Sequence, residues 1–395
     1  MSMHDHETNS KHKIILCGRS LYLYPRDETL FGAIHTLYPD CYDLRYIEKL
    51  WITAKKGKFQ KLKKLVRHGI WFILFGLYLI RLVKFAYHYK GSRIIIFPGN
   101  HFFCLLFSLI NKRFHLQCIV MYDNWISIYS ASQSGQYLRV RQKIRFVLEK
   151  AVNHHCQHLF VLSQEYLNYF TSLYGSSPQQ YHIIPLCVDS LWLSLPQNNT
   201  SPMSYDVKVA YWGGFLTHHG LEVLLKASEI LQHEPIQFLL YGDGPMLSHM
   251  QSMIQEKNLN HVFIKGYYED DSDLIREIDK ADITVGHLKD SHDAQLIGPN
   301  KLIQGLSRGK SVISIYSKHL ENNYQSCHGE YPIVFFDGTA QDLAKQILYL
   351  KADLKKRMQL KQCAIQAAKE KHSNECLLNT LREVLESVSF NTNCH

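Results

Sequence analysis

The sequence VKVAYWGGFLTHHGLEVLLKASEIL, residues 207–231, combines a strand, a glycine turn and a helix. Its first six residues are mostly β-branched and aromatic, and a short run of this kind is typical of a buried strand. Two glycines follow, and the stretch after them places leucines three and four residues apart, which is the spacing of one helix face. A strand that turns through glycines into an amphipathic helix predicts a parallel sheet covered by helices.

The same alternation of strand and helix continues on both sides of this stretch. The strands predicted in the second half are 207–214, 236–244, 261–268, 281–287, 310–316 and 331–338. Those predicted in the first half are 13–17, 41–47, 92–99, 117–123, 158–163 and 181–189. We therefore expect an α/β fold of two doubly wound Rossmann-like domains. Such domains place the carboxyl ends of their sheets at a cleft, where ligands bind.

Composition predicts the domain boundaries. The segment 191–206 is rich in Ser, Asn and Pro and poor in hydrophobic residues, which favours a linker. The acceptor-side domain is then 1–190 and the second domain is 207–375. The remaining 376–395 is expected to form a C-terminal helix and tail.

Size and charge limit the class of protein. A chain of 395 residues with 46% hydrophobic residues can bury a core in each of two domains. Its ten cysteines include no CxxC pair, and its polar start lacks a signal-peptide pattern, so we expect reduced thiols and a cytoplasmic protein. Residues 1–200 carry 24 basic and 11 acidic side chains, whereas 201–395 carry 20 and 24. The two halves are thus expected to face different partners.

The segment 55–90 surrounds the most apolar run of the chain with positive charge. Its centre, 69–80, holds twelve apolar residues without a charge, too few to span a bilayer. Flanking basic residues favour a helix that lies in an anionic headgroup layer. The residues assigned to this membrane surface are Lys63, Arg67, Trp71, Arg81 and Lys84. A core helix with solvated lysines fits the pattern equally well. No nucleic-acid module accompanies it, so no nucleic-acid partner is expected.

The stretch GPNKLIQGLSRGKSVISI, 298–315, reads as a short helix followed by a buried strand. Pro299 suits a first helical turn, and Asn300 or Gly298 can act as the cap. The helix start offers free N–H groups, and Lys301 adds a full charge beside them, a combination that suits a diphosphate. Taken alone, the motif fits equally a capped helix with an exposed lysine.

The order and spacing of several stretches of the sequence resemble those of a known protein family. Several stretches, in sequence, resemble the GT-B glycosyltransferases of the family 4 type, or glycosyl transferases group 1. For the nucleotide-sugar half these are 207–231, FLLYGDGP (238–245), VFIKGYYEDDSDLIREIDKADITVG (262–286) and PNKLIQGLSRGKSVIS (299–314). VLSQEYLNYF (161–170) and YHIIPLCVD (181–189) resemble the end of the first domain. The resemblance covers about half the chain and implies the GT-B fold.

The chain departs from that family at four positions. Gly214 and His219 stand where the family usually carries an arginine and a lysine that contact the diphosphate. Leu296 and Gln304 stand where it usually carries two glutamates eight residues apart. A subgroup with a glycine turn ending in HG or QG and a PNKxxQ helix is more similar. These departures concern which residues would balance the negative charge of the diphosphate.

The resemblance implies a retaining transfer, in which the enzyme stabilises the charge that develops on a leaving nucleoside diphosphate. Lys301, the amides of Gly213 and Gly214, the helix start at Asn300 and His219 are the groups assigned to that charge. Gln304 is expected to bind the ribose, and two tyrosines to meet the base. The scheme requires no metal and no cofactor beyond the donor substrate. The complete donor set is Gly213, Gly214, Phe215, His219, Gly242, Asp243, Gly244, Pro245, Tyr267, Tyr268, Asn300, Lys301 and Gln304.

Candidates for catalysis in the first domain are Asp123, at the end of a predicted strand, and His101, after FPGN. A capping role fits each of them as well. The cluster HHCQH, 154–158, places two histidines one helical turn apart and could hold a metal. Because Cys156 would point to another face and no acidic ligand is near, we expect no zinc site.

The sequence thus predicts a glycosyltransferase that uses a nucleotide sugar. Its expected acceptor is a lipid-linked or membrane-associated glycan at the inner face of a membrane, in cell-surface polysaccharide or glycolipid synthesis. Two alternatives stay open, a nucleotide-sugar epimerase of the same fold and a non-catalytic protein that retains the fold.

Overall fold

The computed structural model describes residues 14–20, 25–43, 46–47, 80, 84, 93–97, 117–121, 136–155, 158–175, 181–196, 207–268, 270–324 and 331–390. The described residues form two compact units. The first unit contains those up to Leu162, Leu167–Ile183, and those from Leu381 onward. The second unit contains Ser163–Tyr166 and Ile184–Thr380.

The first unit is built on a parallel sheet. Its described strands are β1 (Ile14–Ser20), β2 (Tyr42–Asp43), β3 (Tyr46–Ile47), β4 (Arg93–Phe97), β5 (Gln117–Met121), β6 (His158–Val161) and β7 (Tyr181–Ile183). Their order is β2-β1-β4-β5-β6-β7, and β3 also pairs with β1. The described helices are α1 (Pro25–Leu37), α2 (Gln136–His155) and α3 (Gln164–Tyr174), of which α3 begins within the second unit.

The second unit is also built on a parallel sheet, and its strand order locates a binding edge. The strands are β8 (Val207–Trp212), β9 (Ile236–Tyr241), β10 (Val262–Gly266), β11 (Ile283–Val285), β12 (Ser311–Ile315) and β13 (Ile333–Phe336). They lie in the order β10-β9-β8-β11-β12-β13. The order reverses between β8 and β11, and in such sheets ligands bind at the carboxyl ends of the strands beside this switch point.

Helices cover both faces of this second sheet. They are α4 (Ser190–Ser194), α5 (Leu221–Ile230), α6 (Leu247–Glu256), α7 (Asp271–Asp279), α8 (His292–Leu296), α9 (Asn300–Ser307), α10 (Lys318–Asn323), α11 (Ala340–Ala352) and α12 (Leu354–His372). Helix α13 (Asn374–Phe390) begins in the second unit and ends in the first.

Strand β8 alternates between two cores. Val209 and Tyr211 pack in the cluster that includes α5 and α11, whereas Ala210 and Trp212 pack in the cluster that includes α7, α9 and α12. Side chains of successive strand residues point to opposite faces of a sheet, and both faces are covered here. The strand therefore reads as one hydrophobic run, and its last two residues reach different layers.

The expected linker 191–206 requires a correction at its start. Ser190–Ser194 is a helix, and Trp192 is only 1% exposed. Arg308 donates hydrogen bonds to the carbonyls of Trp192, Leu195 and Pro196 and forms a buried ion pair with Asp279. These contacts make the start of the segment part of the second unit, whose longer stretch begins at Ile184 rather than after a linker. The rest, 197–206, lies outside the described residues.

The expected membrane surface also lies largely outside the described residues. Lys63, Arg67, Trp71 and Arg81 are not described, whereas Lys84 is exposed. Among the described residues, no helix combines the length and the hydrophobicity that crossing a bilayer requires.

Candidate functional site

Three segments of the chain meet at the switch point of the second sheet, and one of them carries the predicted residue Lys301. Tyr211 and Trp212 end β8, and Gly286 and His287 follow β11. Lys301 lies in the first turn of α9, the second helix after β11. Because β8 and β11 are neighbours, the three segments meet at one edge of the sheet.

Lys301 projects toward the glycine turn after β8. Its Nζ donates a hydrogen bond of 2.9 Å to the Tyr211 hydroxyl and lies 4.1 Å from the centroid of the same ring. A Cβ added to Gly213 would lie 3.9 Å from this Nζ, which is ordinary van der Waals contact. The ammonium therefore lies directly beside the backbone of the turn.

The charge of Lys301 has no protein counter-ion among the described residues. Burial lowers its pKa to about 7, and no carboxylate forms an ion pair with it. Tyr211 is the one hydrogen-bond partner that the described part of the chain supplies, which leaves two of the three ammonium N–H groups without an acceptor. Burying a charge without a partner is costly, so a site of this kind fits an anion.

Helix α9 adds further donors at the same place. The helix begins at Asn300, and its cap position is Pro299, which makes no side-chain cap hydrogen bond. This corrects the expectation that Asn300 or Gly298 caps the helix. The first N–H groups of a helix have no partner within it and carry the positive end of its dipole.

The two glycine turns interlock, which corrects part of the donor assignment. Gly213 N–H donates to the carbonyl of Tyr241 and Gly242 N–H to that of Gly266. The N–H of Gly244 donates to the side chain of Asp243. These three amides are therefore committed within the protein. Gly214 N–H has no hydrogen-bond partner in the described part of the chain.

The side chains around these turns divide into core and surface. Phe215 is 0% exposed, and its N–H donates to the carbonyl of Asp243, so neither its ring nor its amide can reach a ligand. Asp243 and Pro245 are exposed on the second turn. Phe215 is thus a core residue that fixes the turn, contrary to its assignment as a donor contact.

His219 lies at the end of a 3₁₀ turn, Thr217–His219, and faces inward. Its Nδ1 lies 2.6 Å from the carbonyl oxygen of Gly214 and 2.9 Å from the Tyr211 hydroxyl. Burial, and next the charge of Lys301, lower the pKa of His219 to about 3. The imidazole is therefore neutral at pH 7 and adds no full positive charge, contrary to the expectation.

Gln304 lies one turn after Lys301 and is 8% exposed. Its Oε1 accepts a hydrogen bond of 2.7 Å from the indole N–H of Trp212. Because an indole N–H can only donate, the amide oxygen is fixed toward Trp212. The amide NH₂ group of Gln304 is what remains for a ligand.

Two residues of the site were not predicted from the sequence. Tyr211 reads as one more aromatic residue of a buried strand. His287 follows β11, and its Nε2 lies 3.2 Å from the Ile297 carbonyl oxygen. Burial, and next the charge of Lys301, lower the pKa of His287 to about 3. Tyr211 lies at the carboxyl end of β8 and His287 just after that of β11. This position at the end of a predicted strand could have identified both residues from the sequence.

Tyr267 and Tyr268 follow β10, at the outer edge of the same sheet. Tyr267 is 64% exposed, whereas Tyr268 packs edge-on against Tyr241 with ring centroids 5.7 Å apart. Two strand spacings, about 10 Å, separate β10 from β8. Their assignment to the base stays a prediction.

The remaining candidates belong to the first unit. Asp123 and His101 lie outside the described residues. His154 lies in α2 and His158 in β6, so the two are not one helical turn apart as expected. His158 instead contacts His182, with Nδ1 and Nε2 3.0 Å apart. Within the described residues, no group of three or more metal-binding side chains is present.

Comparison with known proteins agrees with this architecture. Residues 200–367 match the family model of glycosyl transferases group 1. The chain has the GT-B fold. HepE from Anabaena, crystallised in complex with UDP, is 16% identical with a TM-score of 0.68, over 95% of this GT-B chain and 100% of HepE. A comparison with curated protein sequences gives no match.

Two further solved structures share the fold. Sucrose-phosphate synthase from Thermosynechococcus elongatus is 17% identical with a TM-score of 0.70, over 96% of this chain and 100% of the synthase. The lipopolysaccharide outer core galactosyltransferase WaaB, in its apo form, is 13% identical with a TM-score of 0.62. The match covers 95% of this chain and 99% of WaaB. At these identities the likeness concerns the fold.

Proposed function

We propose that the chain is a glycosyltransferase that transfers a sugar from a nucleoside-diphosphate sugar, with the diphosphate bound at Lys301. One observation carries this proposal. A partly buried ammonium without a counter-ion among the described residues lies at the switch point of a parallel sheet, beside a glycine turn and a helix N-terminus without a side-chain cap. A diphosphate supplies the missing negative charge and accepts hydrogen bonds from all three donor groups.

The same groups would act in the chemical step. Cleavage of the bond between sugar and diphosphate leaves additional negative charge on the leaving diphosphate. Lys301, the Gly214 amide and the N-terminus of α9 stabilise that charge as it forms, because they already point at it. The ammonium supplies the positive charge in this scheme, which therefore uses no metal or cofactor. The NH₂ group of Gln304 donates to a ribose hydroxyl, and Tyr267 or Tyr268 contacts the base.

The finer properties follow from the family 4-like motifs. Transfer retains the anomeric configuration, with the acceptor hydroxyl held against the same face of the sugar as the leaving group. Asp123 and His101 are the proposed acceptor-side residues. The name of WaaB, a lipopolysaccharide outer core galactosyltransferase, and the basic, apolar segment 55–90 support a lipid-linked or membrane-associated glycan as acceptor.

The donor site is tested by the effect of nucleotides on melting temperature. UDP, GDP and ADP are compared on the wild type and on Lys301→Ala, and UDP is the first choice because HepE was crystallised with it. A ligand that binds only the folded state raises its stability by about 2.7 kcal/mol at a hundredfold excess over Kd. We expect one diphosphate to stabilise the wild type and none to stabilise Lys301→Ala.

Lys318→Ala is the matched control. Lys318 is exposed and also lies in the first turn of a helix, but Ser317 caps that helix through its side chain. This variant should respond to the nucleotide as the wild type does. Failure of all three diphosphates to stabilise the wild type refutes the donor site.

Membrane binding is tested separately by flotation with anionic liposomes. The electrostatic attraction of a basic segment is worth about 1 kcal/mol per basic residue near the surface. The triple variant Arg67→Gln, Arg81→Gln, Lys84→Gln should therefore lose most of its bound fraction. Equal flotation of the variant and the wild type excludes this surface as the membrane contact.

A further inference from the structure

The hydroxyl of Tyr211 makes more contacts than burial alone requires. Tyr211 is 0% exposed, and one partner is enough for a buried tyrosine hydroxyl. This oxygen lies 3.1 Å from the Gly214 carbonyl oxygen, 2.9 Å from His219 Nδ1 and 2.9 Å from Lys301 Nζ. It therefore links the glycine turn, the 3₁₀ turn and helix α9 at one point.

The chemistry of the four groups fixes their protons. The Gly214 carbonyl can only accept, and His219 Nδ1 lies 2.6 Å from it, so Nδ1 carries the hydrogen and donates. The Lys301 ammonium can only donate, so the Tyr211 oxygen accepts from it. The hydroxyl hydrogen then points to the Gly214 carbonyl. The Gly214 carbonyl therefore accepts the hydroxyl hydrogen, which leaves a lone pair of the tyrosine oxygen toward Lys301, and the Nδ1–H of His219 donates to the same carbonyl.

The aromatic ring and the hydroxyl of Tyr211 both contact the ammonium of Lys301. Nζ lies 4.1 Å from the ring centroid, within the range of a cation–π interaction. A lysine side chain has four rotatable bonds and much rotamer freedom to lose, so a single flexible contact would hold it poorly. Contact with ring and hydroxyl together holds the ammonium beside Gly213 and leaves two of its N–H groups unpaired by the described residues.

We propose that Tyr211 is a positioning residue that fixes the Lys301 ammonium beside the glycine turn, so that the charge is preorganised for a diphosphate. This inference rests on the proposed function, because the diphosphate is the anion assigned there. Tyr211 would act through Lys301 and need not touch the substrate.

The test is the pH profile of UDP binding, measured by calorimetry between pH 6.5 and pH 9. His218, His219 and His287 also face Lys301, and burial lowers the pKa of each below its usual value of 6.5, so they stay neutral over this range. Lys301 loses its proton as the pH rises through about 7, so wild-type affinity should fall above that pH. Lys301→Met should bind no UDP at any pH in this range, which assigns the wild-type profile to Lys301.

Tyr211→Phe keeps the ring and removes the hydroxyl oxygen. Loss of an acceptor from a charged donor should weaken UDP binding at pH 7 about tenfold. It also disfavours the charged form, so the decline in affinity should begin about one pH unit lower than in the wild type. Tyr324→Phe is the control, since Tyr324 is an equally buried tyrosine bonded to His372. This control should keep the wild-type Kd and pH profile.

A second measurement serves if Tyr211→Phe does not fold. In wild-type protein labelled with ¹³C-lysine, the Lys301 signal, assigned by its loss in Lys301→Met, should be shifted upfield by the ring and titrate near pH 7. A signal without a ring shift that titrates near 10.4, the ordinary value, overturns the proposal. So does a Tyr211→Phe protein with the wild-type Kd and profile. If UDP, GDP and ADP all fail to bind the wild type, it is the proposed function that fails.

Discussion

Lys301 and Lys310 show how the same side chain serves two purposes. Burial lowers the pKa of both, to about 7 and about 8. Lys310 donates to the carbonyls of Asp279 and Ala281, and the charges of Asp279 and Asp282 raise its pKa part of the way back. Lys301 has one hydroxyl as its acceptor in the described part of the chain. The protein supplies two carbonyl acceptors to Lys310, whereas Lys301 is the lysine proposed to bind a ligand.

Lys301→Met should therefore stabilise the ligand-free protein while it abolishes binding of the diphosphate. A partly buried charge without a counter-ion in the described part of the chain costs free energy, and Met fills a similar volume. We therefore expect a gain of about 1 kcal/mol, or roughly 1–2 °C in Tm for a chain of 395 residues. Lys310→Met should have the opposite sign, because it leaves two carbonyls without their donor. Thermal unfolding of both variants without nucleotide measures the difference. A drop in Tm for Lys301→Met would mean that Lys301 has a structural role.

The residues of the candidate site differed in how far the sequence could indicate them. Lys301 and Gln304 were assigned from the order and spacing of the family-like motifs, because the proline–amide–lysine start of the helix alone fits a structural role equally well. Tyr211 could not be predicted, since a buried strand needs aromatic residues in any case. The neutral state of His219 depends on burial and on the charge of Lys301, which only the folded chain brings near it.

At the scale of elements, the turn after β8 depends on the turn after β9. A Cβ on Gly242 would lie 2.0 Å from the carbonyl oxygen of Gly213, far inside any real contact. Gly242 also has a φ of +150°, a backbone conformation that only glycine adopts readily. The second glycine turn therefore fixes the position of the first.

Gly242→Ala should displace the Gly213 turn, lowering the free energy of unfolding by roughly 3 kcal/mol or more and removing UDP binding. Gly266→Ala is the matched control, because Gly266 has a φ of +80° but nothing within 4 Å of an added Cβ. Its cost should be roughly 1–2 kcal/mol from the backbone alone, with UDP binding retained. Urea unfolding and UDP titration of both variants test this. Equal costs would argue against the interlocked turns.

The strands of the second sheet could be predicted from the sequence, whereas the short helix that precedes them could not. Parallel strands buried on both faces are continuous hydrophobic runs, so the six strands of the second sheet lie within their predicted ranges. The short helix Ser190–Ser194 was missed because its packing depends on Arg308, more than a hundred residues away. Long-range contacts of this kind leave no local pattern.

At the scale of the whole molecule, buried histidines make the fold sensitive to acid. Burial is the first cause that lowers the pKa of His158 and His372 to about 4 and of His219 and His287 to about 3. His158 lies in the first unit and the other three in the second. Each stays neutral in the folded protein below pH 6.5, whereas the unfolded chain takes up a proton.

The free energy of unfolding should therefore fall as the pH decreases from 7 to 5, by about 1–2 kcal/mol for each of these four histidines. The direction follows because a folded pKa below the unfolded value gives stability that is complete above 6.5 and is lost toward the folded value. Most carboxylates ionise below this window. Urea unfolding at intervals of half a pH unit gives the number of protons taken up from the slope.

Two variants test which histidines cause the free energy of unfolding to depend on pH. His372→Gln removes a buried imidazole that contacts the Leu186 carbonyl and the Tyr324 hydroxyl, so its slope near pH 5.5 should fall by about one proton. His233→Gln changes an exposed histidine and is the control variant. A wild-type stability that is constant between pH 7 and pH 5 would show that these imidazoles become protonated without unfolding the chain, and therefore that water reaches them in the native state.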